Sequence, residues 1–521
     1  MIAAARPRVT PAQAVPALAA LAVVAAALRA HALSAPLWMD EGISIGIASH
    51  PLHAIPGVLR QDGSPPLYYL VLHGWMSLFG SSPEAVHVLS LCFFALAVPA
   101  AVWAAWAPFG PLAGVVAGAL VVLNPFTAYY ADDARMYTLV LLLAILATGA
   151  FVRAFVLRRR AHAALFAVLL AALLYTHNWA LFYGAAAGAA FAVLLAQSRR
   201  GERRDLLRDG ALAFGGALVL FAPWLPSLAY QAAHTGAPWS VEPGATDLRG
   251  AVTAVWSGVL PAGVVLAVAG IGAIEVARRR DDAQRSAIVA ILVVCASTLL
   301  LAFAWSQIAS PAWADRYLTI VAAPAIVLAG AALGRTGLLG VAAVAIAVAL
   351  SWHGRPTEAA LVHKSNVAEV AQTLGPGLPA GSLVVTTQPE QVPALRYYLG
   401  AHVRYVTPFG AVRDPGVMDW RDALPRLRAA SFRSVMAPRL RDMGPGARLL
   451  FVGPTEARAD TDWSGAIMAA TRTWRDALLR RLDIVAVAAP RQTTTSTVSG
   501  LLLAVPNKAG GPEGPPANAP Q

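Results

Sequence analysis

Cysteines and charged residues are scarce in this sequence, and each shortage excludes a class of protein. The only cysteines among the 521 residues are Cys92 and Cys295, both inside apolar runs, which argues against a disulfide-stabilised scaffold. Charged residues make up 13% of the chain, whereas 57% of the residues are hydrophobic and the mean hydropathy is +0.59. This composition is typical of a polytopic membrane protein and argues against a soluble domain.

Signs of nucleic-acid binding are also missing, although the net charge of +12 is strongly basic. No aromatic residues are interleaved with the basic ones, and no recognition module is present. Instead, the arginines cluster at residues 158–160, 199–208 and 278–280, each time between two apolar stretches. Cytoplasmic loops of membrane proteins carry such an excess of basic residues. We therefore expect a lipid bilayer as partner and no nucleic acid.

Long apolar runs predict about eleven transmembrane helices. The runs cover residues 14–33, 84–107, 111–130, 136–157, 162–177, 180–197, 209–229, 251–277, 285–308, 316–334 and 336–352. Arg6 and Arg8 precede the first run and small residues end it, which is also a pattern of cleaved signal peptides. Because this run is long enough to span the membrane, we expect it to be retained, with a cytoplasmic N-terminus.

A shorter apolar run, residues 65–80, is expected not to cross the membrane. If the arginine clusters are cytoplasmic, residues 40–41 and 132–133 both lie outside, so an even number of crossings separates them. Three candidate runs lie between these positions, and the run at 65–80 is the shortest and most amphipathic. We expect it to lie along the outer membrane interface or to dip in partway.

After residue 352 the pattern changes to short strands alternating with helices. Strands are predicted at residues 383–387, 404–408, 449–452, 483–489 and 501–505, and helices at 364–374, 390–399 and 464–482. This order indicates a small extracytoplasmic α/β domain over residues 353–507, attached to a transmembrane module of residues 1–352. The domain lacks a glycine-rich phosphate-binding motif and metal-ligand spacing. The Gly/Pro-rich tail, residues 508–521, is expected to be disordered.

Two acidic pairs stand out in this apolar chain. Asp40-Glu41 follows the first apolar run, and Asp132-Asp133, with Arg135 close behind, follows two later ones. Carboxylates at the water edge of a very hydrophobic protein cost free energy to dehydrate, so stability rarely explains them. Further polar candidates at the same predicted face are Asp62, Tyr137, His177 and Arg316. Together these residues indicate one polar site on the non-cytoplasmic side.

Carboxylates and arginines at a membrane surface suit the transfer of a sugar from a polyprenyl phosphate to a hydroxyl. The reaction needs a carboxylate that accepts the hydroxyl proton, and such a general base contributes roughly 10²–10⁴-fold to the rate. It also needs cationic groups that stabilise the charge on the departing phosphate. Arginine suits this second task because its planar guanidinium matches the phosphate oxygens.

Five short motifs occur in the order in which a known family has them. The segments WMDEG, DGSPPLYYLVLHGW, YYADDARMYTL, YTHNWALF and ADRYL resemble those of the C-type glycosyltransferases (GT-C). The likeness covers roughly residues 14–352 and is to the bacterial branch related to protein O-mannosyltransferases and lipid A aminoarabinose transferases. The resemblance implies a GT-C-like fold, a polyprenyl-phosphate sugar donor (mannose favoured), an extracytoplasmic active site in the plasma membrane and inversion at the anomeric carbon.

The resemblance also implies roles for individual residues. Asp40 matches the essential aspartate of the family's first loop, the general base, and Glu41 matches its acidic neighbour. Either Asp132 or Asp133 matches the second-loop carboxylate that helps to hold the substrates. Arg135 and Arg316 match contacts to the donor phosphate. Asp62, Tyr137 and His177 complete the set of substrate-binding candidates.

The acceptor and the need for a metal ion are less closely defined. The acceptor could be a protein, a lipoglycan or a polysaccharide. The two carboxylate pairs could bind Mg²⁺ or Mn²⁺ between them. However, the arginines could supply the phosphate charge alone, and the enzymes that this chain resembles generally work without an essential cation. We therefore expect no metal and no other cofactor.

Structural explanations compete with each of these roles. Asp40-Glu41 could be an exposed loop pair or could cap the next helix. Asp132 could cap a helix that starts near Ala134, Asp133 could form a purely structural ion pair, and His177 could be a hydrogen-bonded turn residue. Two other functions also remain open. A ligase or polymerase of polyprenyl-linked glycans should carry its catalytic groups in a large late outer loop, and a lipid-glycan transporter should carry polar groups at mid-membrane depth.

Overall fold

Apolar runs bounded by glycine, proline and arginine form helices along most of the chain. The computed structural model describes residues 32–278, 281–352, 363–455, 461–488, 493 and 495–506. Most of the first predicted span, the predicted boundary at 352 and 353 and the predicted tail at 508–521 lie outside the described residues. The chain divides into two units, one comprising Met1–Pro36, Ile47–His363 and Asp419–Arg421, the other comprising Leu37–Gly46, Lys364–Met418 and Asp422–Gln521.

The first unit, which we call the membrane unit, is helical. Its helices are Ile55–Asp62, Leu67–Phe79, Pro83–Phe109, Pro111–Leu123, Pro125–Tyr129, Tyr137–Phe151, Ala161–Leu174, Ala180–Gln197, Arg200–Gly210, Gly216–Phe221, Leu225–His234, Ala245–Val255, Val259–Arg278, Asp282–Ile308, Thr319–Arg335 and Leu338–Trp352. Short 3₁₀ or π turns extend or connect several of them, at Tyr130–Asp132, Val152–Val156, Ala211–Gly215, Ala222–Trp224 and Asp315–Leu318.

Within the described residues, seven helical stretches are long and apolar enough to cross a membrane. They are Pro83–Phe109, Tyr137–Val156, Ala180–Gln197, Arg200–His234, Val259–Arg278, Asp282–Ile308 and Asp315–Arg335. An eighth is a pair bent by 49°, Pro111–Leu123 with Pro125–Asp132. The prediction of a polytopic α-helical membrane protein with a small C-terminal α/β region is thus confirmed, whereas the count of eleven is not.

Several predicted spans differ from the helices observed, and two of them show why. The run at 162–177 forms a helix of only 14 residues, Ala161–Leu174. The run at 251–277 is divided, because the chain leaves the helix after Val255 and re-enters it at Val259. Ser257 and Gly258 both have positive φ at this break, 60° and 138°. A left-handed backbone cannot continue a right-handed helix, so an apolar composition alone does not make residues 251–277 one helix.

The run at 65–80 forms the helix Leu67–Phe79, which has 13 residues. At 1.5 Å per residue its length is about 20 Å, shorter than a hydrocarbon core of about 30 Å. Tyr68, Tyr69 and Leu72 in the first half of the helix are buried, while Leu78 and Phe79 at its end are exposed. The length agrees with the expectation that this segment does not cross.

Small residues allow the core helices of the membrane unit to approach closely. A Cβ atom on Gly330 would lie 2.6 Å from the Cβ of Ala117, and one on Gly334 would lie 2.6 Å from the Cα of Ala113. These two glycines are four residues apart, so they lie on one face of the helix Thr319–Arg335. Close backbone packing of this kind replaces the hydrophobic effect as the force that joins helices within lipid.

The second unit, which we call the α/β unit, contains a six-stranded sheet of order β3-β2-β1-β4-β6-β5. The strands are β1 Leu383–Thr386, β2 Arg404–Thr407, β3 Gly410–Ala411, β4 Arg448–Pro454, β5 Asp483–Ala488 and β6 Val498–Ala504. The central strand β1 pairs in parallel with both β2 and β4, and the remaining pairs are antiparallel. The helices of this unit are Met39–Ala48, Val367–Leu374, Val392–Leu399, Ala423–Ala429, Phe432–Arg441 and Asp462–Leu479, with 3₁₀ turns at Gly375–Gly377 and Pro389–Gln391.

Helices cover both faces of this sheet. Val384 of β1 packs into a core with the helices Val367–Leu374 and Val392–Leu399. Its neighbours Leu383 and Val385 point to the opposite face and pack with Met436, Trp474 and Leu478 from two other helices. Because successive side chains of β1 point to two covered faces, Leu383, Val384 and Val385 are all apolar.

All five predicted strands are present, each with ends shifted by one to three residues. The sequence prediction missed β3, which has only two residues, and the helices Ala423–Ala429 and Phe432–Arg441, whose arginines and Pro438 hide their apolar spacing. The α/β unit also contains residues 37–46, which lie far before the domain in sequence. The predicted boundary between residues 352 and 353 stays a prediction.

Candidate active-site residues

A cluster of aromatic rings and two arginines lies in the membrane unit. We call it the arginine–tyrosine cluster; it consists of Tyr130, Arg135, Tyr137, His177, Arg316 and Tyr317. The rings of Tyr130 and Tyr137 are 5.1 Å apart, those of His177 and Tyr317 are 4.6 Å apart, and Tyr137 lies 6.4 Å from His177. Four of these residues, Arg135, Tyr137, His177 and Arg316, were predicted from sequence, and the fold brings them together from three separate loops.

The chain leaves the membrane helix before the second acidic pair because Asn124-Pro125 ends it. The Asn124 side chain accepts from the backbone N–H of Phe126 at 2.9 Å and donates to the carbonyl of Val255 at 2.7 Å. Proline at the next position starts a new short helix, since its missing N–H costs nothing there. The acidic pair therefore lies in an irregular segment between two spanning helices.

Asp132 and Asp133 are both buried. The backbone carbonyl of Asp133 accepts from the Ser90 hydroxyl at 2.6 Å and from the backbone N–H of Arg135 at 2.6 Å. The next helix begins at Tyr137, and no side chain caps its first turn, so Asp132 does not cap a helix near Ala134. Burial raises the pKa of the Tyr68 hydroxyl, the charge of Arg135 lowers it, and the charge of Asp133 raises it further. These carboxylates are thus in a confined polar environment, which a simple loop pair would not need.

His177 is a buried, neutral donor beside two cations. Its Nδ1 accepts from the backbone N–H of Trp179 at 3.1 Å, so the neutral ring carries its proton on Nε2. Burial, with the added charges of Arg135 and Arg316, lowers the pKa of His177 from 6.5 to about 3. Because a third positive charge is disfavoured here, His177 stays uncharged at physiological pH. It can donate a hydrogen bond to an anion, but it cannot act as a cation.

Arg316 is held over aromatic rings at the start of its helix. Its guanidinium carbon lies 4.6 Å from the centre of the Trp239 ring and 5.6 Å from that of Tyr317. Cation–π contact fixes the plane of the guanidinium without consuming its hydrogen-bond donors. Arg135 is half-buried, and its charge acts on His177 as that of Arg316 does. Two guanidinium groups close to a neutral N–H donor are suited to binding a phosphate.

Asp62 ends the helix Ile55–Asp62 in a loop that several contacts fix. Gly63 follows with φ of 95°, and its carbonyl accepts from the Asn178 amide at 3.1 Å. The Gln231 amide donates to the carbonyls of Leu59 and Ser64 at 2.8 and 3.1 Å. Burial raises the pKa of the Tyr69 hydroxyl, the charge of Asp62 raises it further, and the charge of Arg135 lowers it. Asp62 therefore lies near the same tyrosine pair that Arg135 reaches.

Asp40 and Glu41 belong to the α/β unit and occupy the first turn of the helix Met39–Ala48. Glu41 is buried, and its Oε2 accepts from the backbone N–H of Trp38 at 3.1 Å. This contact satisfies a backbone donor at the helix start, as the glutamate of a capping box does. Asp40 is half-buried. The two acidic neighbours therefore differ in burial, and the predicted catalytic role of Glu41 stays a prediction.

Close packing holds this helix, which we call the Asp40 helix. A Cβ on Gly42 would lie 2.6 Å from the backbone N of Ala394, and a Cβ on Gly46 would lie 2.0 Å from the carbonyl oxygen of Gly416. Only glycine permits such approaches at both positions. Just before the helix, the backbone N–H of Leu37 donates to the Tyr398 hydroxyl at 2.7 Å.

A buried carboxyl that the sequence prediction missed lies just after β1 of the α/β unit. Glu390 is 6% exposed and follows β1. Its Oε1 accepts from Trp463 Nε1 at 3.1 Å and from Gln388 Nε2 at 3.3 Å. Burial raises the pKa of Glu390, against the lowering effect of its own backbone N–H and of those two donors, and the charge of Asp40 adds a smaller increase. The polar run Thr386–Glu390 directly after an apolar strand was the available signal.

The described residues contain no metal site of recognisable composition. No group of three or more His, Cys, Asp or Glu side chains among them is arranged to hold an ion. In the arginine–tyrosine cluster, the guanidinium groups of Arg135 and Arg316 would neutralise the charge of a bound anion.

Comparison with known proteins identifies the fold. No protein-family model matches the sequence, and no curated protein matches it. Among solved structures, ArnT from Cupriavidus metallidurans bound to undecaprenyl phosphate matches with a TM-score of 0.61 and 15% identity, over 94% of this chain and 98% of ArnT. Its apo state matches with a TM-score of 0.62. The arabinofuranosyltransferase AftD from Mycobacteria matches with a TM-score of 0.55 and 16% identity, over 95% of this chain and 42% of AftD.

ArnT and AftD share an architecture with this chain over nearly its whole length, although few residues are identical. At such low identity the likeness concerns the fold. It agrees with the resemblance that the five sequence motifs carry, which was found without any structure. The chain has the fold of the GT-C glycosyltransferases, in an ArnT-like form.

Proposed function

We propose that this protein is an inverting glycosyltransferase that moves a sugar from a polyprenyl phosphate to an extracytoplasmic hydroxyl. The observation that supports the proposal is the arginine–tyrosine cluster, where the charges of Arg135 and Arg316 both act on the neutral His177. Two cations and a neutral donor match the phosphate of a lipid-linked donor. The aromatic rings around them offer apolar faces for the sugar and the first isoprene units.

In the proposed reaction Asp40 is the general base. The acceptor hydroxyl oxygen attacks the anomeric carbon from the face opposite the phosphate, and its proton passes to the Asp40 carboxylate. The bond between the anomeric carbon and the phosphate oxygen breaks, and the polyprenyl phosphate leaves with both bonding electrons. Arg135 and Arg316 stabilise the negative charge that this step adds to the phosphate. The new glycosidic bond has the inverted configuration.

Asp62, Asp132, Asp133 and Tyr137 are proposed to hold and orient the substrates. Buried carboxylates accept hydrogen bonds from sugar hydroxyls, and one of Asp132 and Asp133 would do so here. Glu41, which caps the Asp40 helix, supports the base by fixing its backbone. No metal or other cofactor is assigned, because arginines can meet the phosphate charge directly.

Mannose is the favoured sugar because the sequence motifs resemble those of protein O-mannosyltransferases; pentoses are the nearest alternative. A protein, a lipoglycan or a polysaccharide would supply the acceptor hydroxyl. We propose a multi-pass protein of the plasma membrane, with the N-terminus in the cytoplasm and the α/β unit outside, since the arginine clusters then face the cytoplasm.

Two other functions remain as alternatives. A ligase or polymerase of polyprenyl-linked glycans would also transfer glycosyl groups, but from a diphosphate-linked chain. A lipid-glycan transporter would move its substrate without making a bond. The close packing of small residues around Gly330 and Gly334 leaves little space between those core helices, which favours a transferase over a transporter there.

The test is sugar transfer in membranes with radiolabelled donors. Wild-type protein is supplied with polyprenyl phosphates carrying mannose, arabinose, galactose or aminosugars, and with a diphosphate-linked oligosaccharide as the ligase substrate. We expect transfer from one monophosphate-linked donor and none from the diphosphate. Transfer from the diphosphate alone would establish the ligase alternative. Movement of donor across the bilayer without any transfer would establish the transporter.

A further inference from the structure

A cavity of about 400 Å³ lies in the α/β unit beside strands β2 and β3. Four arginines line it, from two helices, from β2 and from the segment after β3: Arg396, Arg404, Arg413 and Arg439. Among the described residues that line this space, Asp442 alone carries a carboxyl group. The lining therefore has an excess of positive charge.

The strand register brings two of these arginines next to each other. The backbone N–H of Val412 donates to the carbonyl of Tyr405 at 2.9 Å, so pairing continues one residue beyond the end of β3. Arg413 and Arg404 are the next residues on the two sides of this contact. Like charges at neighbouring positions of paired strands repel each other, so these two destabilise the sheet edge unless an anion lies between them.

A third arginine comes from a helix on the same face of the sheet. Leu383 of β1 pairs with Arg404 and packs in one core with the helix Phe432–Arg441. Because paired positions point to the same face, Arg404 lies on the face that this helix covers. Arg439 lies near the end of that helix and also lines the cavity. Guanidinium groups from a strand and from a helix therefore border one space.

Backbone contacts fix two of these arginines without neutralising them. Arg404 Nε donates to the carbonyl of Gly381 at 3.1 Å, and the Arg439 guanidinium donates to the carbonyl of Val435. A backbone carbonyl holds a side chain in place but does not remove its charge. A guanidinium has several N–H donors, so each arginine keeps others for a ligand.

Carboxylates near the cavity do not neutralise the arginines either. In the described part of the chain, neither Asp442 nor any of the four arginines forms an ion pair. Asp414, next to Arg413, accepts from the backbone N–H of Gly416 at 3.1 Å and does not line the cavity. The positive charge is thus left for a ligand with an oxyanion, whose oxygens match the planar fork of a guanidinium.

The size of the space and the form of the sheet edge favour a glycan as the ligand. A volume of about 400 Å³ lies in the range of small-molecule sites and can hold a sugar unit. A peptide would usually bind at such an edge by adding a strand to it. The edge strand β3 has only two residues, Gly410–Ala411, which is too short for such pairing.

A membrane lipid fits this place less well than a glycan. Its acyl chains need exposed apolar surface beside the arginines that bind its head group. The exposed large apolar side chains in the described part of the α/β unit lie elsewhere, at Leu479 and on β5 at Ile484, Val485 and Val487. Strands β3 and β5 are the two opposite edges of the sheet.

The unit that contains the cavity indicates which substrate carries the anion. The donor phosphate is assigned above to the arginine–tyrosine cluster, whereas Asp40, which would accept the proton of the acceptor hydroxyl, belongs to the α/β unit. Taking the proposed function as given, we propose that the cavity binds a carboxylate or phosphate group of the acceptor, and that the acceptor is an anionic glycan. No bond is made or broken at this site.

Equilibrium binding to the purified full-length protein tests the site without any sugar donor. The probes are hexagalacturonate, phosphorylated maltohexaose and unmodified maltohexaose, a neutral glycan of the same length. We expect one or both anionic glycans to bind at physiological ionic strength and the neutral one not to bind. In Arg404→Gln/Arg413→Gln the Kd of the anionic glycan should rise by about tenfold or more, since charge-assisted hydrogen bonds are lost.

The matched control is Arg433→Gln/Arg472→Gln, which removes the same charge from two exposed positions outside the cavity lining. Its Kd should match that of the wild type. Asp442→Asn should bind the anionic glycan more tightly, because it removes a carboxylate that repels the ligand. Equal losses of affinity in the two double variants would indicate a general charge effect and would overturn the site.

A single substitution keeps the test valid if the loss of Arg404 disturbs the fold. Arg413 is exposed, so Arg413→Gln should raise the Kd while the midpoint of thermal unfolding stays unchanged. Wild-type affinity in Arg413→Gln and in the double variant would overturn the proposal. Tighter binding of poly-glutamate or of phosphatidylglycerol micelles than of either anionic glycan would overturn the glycan as ligand.

Binding and transfer together separate this proposal from the proposed function. If the wild type binds an anionic glycan but transfers no sugar from any donor, the proposed function fails and the anion site stands. If sugar is transferred but neither anionic glycan binds, the anion site fails and the proposed function stands.

Discussion

The two acidic pairs have similar sequences and very different surroundings. Asp132-Asp133 lies in the membrane unit, in an irregular segment beside arginines, tyrosines and the neutral His177. Asp40-Glu41 lies in the α/β unit at the start of a regular helix. The first environment is built around positive charge and suits the binding of an anion. The second contains the residue that we propose as the general base, a carboxylate that must take up a proton.

This comparison assigns different tasks to the two units. The membrane unit would bind the phosphate of the donor, and the α/β unit would position the base. Substitutions on one side should therefore change donor binding, whereas substitutions on the other should change the rate of the chemical step. Mixed effects from both sides would contradict the assignment.

The largest effect is expected for Asp40→Asn. Loss of the general base should lower kcat by roughly 10²–10⁴-fold, because the acceptor hydroxyl then has no proton acceptor. Initial rates of sugar transfer at saturating donor measure this change. Asp483→Asn, which removes an exposed carboxyl from β5 of the same unit, is the control and should keep the wild-type rate. Unchanged transfer in Asp40→Asn would exclude this residue as the base.

A smaller effect, on binding, is expected for Arg316→Ala. Loss of a charge-assisted hydrogen bond to phosphate costs about 1.5–3 kcal/mol, or about 10- to 150-fold in donor affinity. Arg316→Lys should recover only part of it, since an ammonium lacks the planar fork. Donor titration by transfer rate or by direct binding measures the change. The control is Arg249→Ala, an exposed arginine whose side chain contacts only its own helix; a similar loss there would indicate a general charge effect.

Gly46→Ala tests the packing that holds the Asp40 helix. The added methyl would lie 2.0 Å from the carbonyl oxygen of Gly416, so helix or loop must move. Such overpacking typically costs about 1–3 kcal/mol. Thermal unfolding and hydrogen exchange of residues 37–48 measure the loss. Gly57→Ala is the matched control, because nothing lies within 4 Å of a Cβ at Gly57. Equal stability of the two variants would show that the helix is not held by this contact.

The smallest effect concerns His177 and pH. Its pKa of about 3 in the folded protein lies below the usual 6.5, so the unfolded chain binds a proton that the folded protein does not. Stability should therefore fall as the pH drops below 6.5, by about 2 kcal/mol at pH 5. His177→Gln should lose less stability over this range than the wild type. Thermal unfolding in detergent at pH 7 and pH 5 compares them; parallel losses would contradict a buried neutral histidine.

Local sequence patterns predicted the helical membrane part and the strands of the α/β unit, because burial within lipid or within a sheet leaves a period in the sequence. These patterns failed where the backbone conformation, and not the composition, determines where a helix ends. Ser257 and Gly258 have positive φ and divide one apolar run into two helices. The patterns also failed for Glu390, because its partner Trp463 is distant in sequence. The motifs predicted Arg135, His177 and Arg316 as site residues, but only the fold brings these three loops together.

The division of tasks between the two units can be tested most directly by equilibrium binding of a polyprenyl phosphate to the wild type, Asp40→Asn and Arg316→Ala. Binding is measured without acceptor, so the chemical step does not contribute. We predict that Asp40→Asn binds as the wild type does, whereas Arg316→Ala binds at least tenfold more weakly. Equal weakening in both variants, or weakening in Asp40→Asn alone, would contradict the assignment of the phosphate to the arginine–tyrosine cluster.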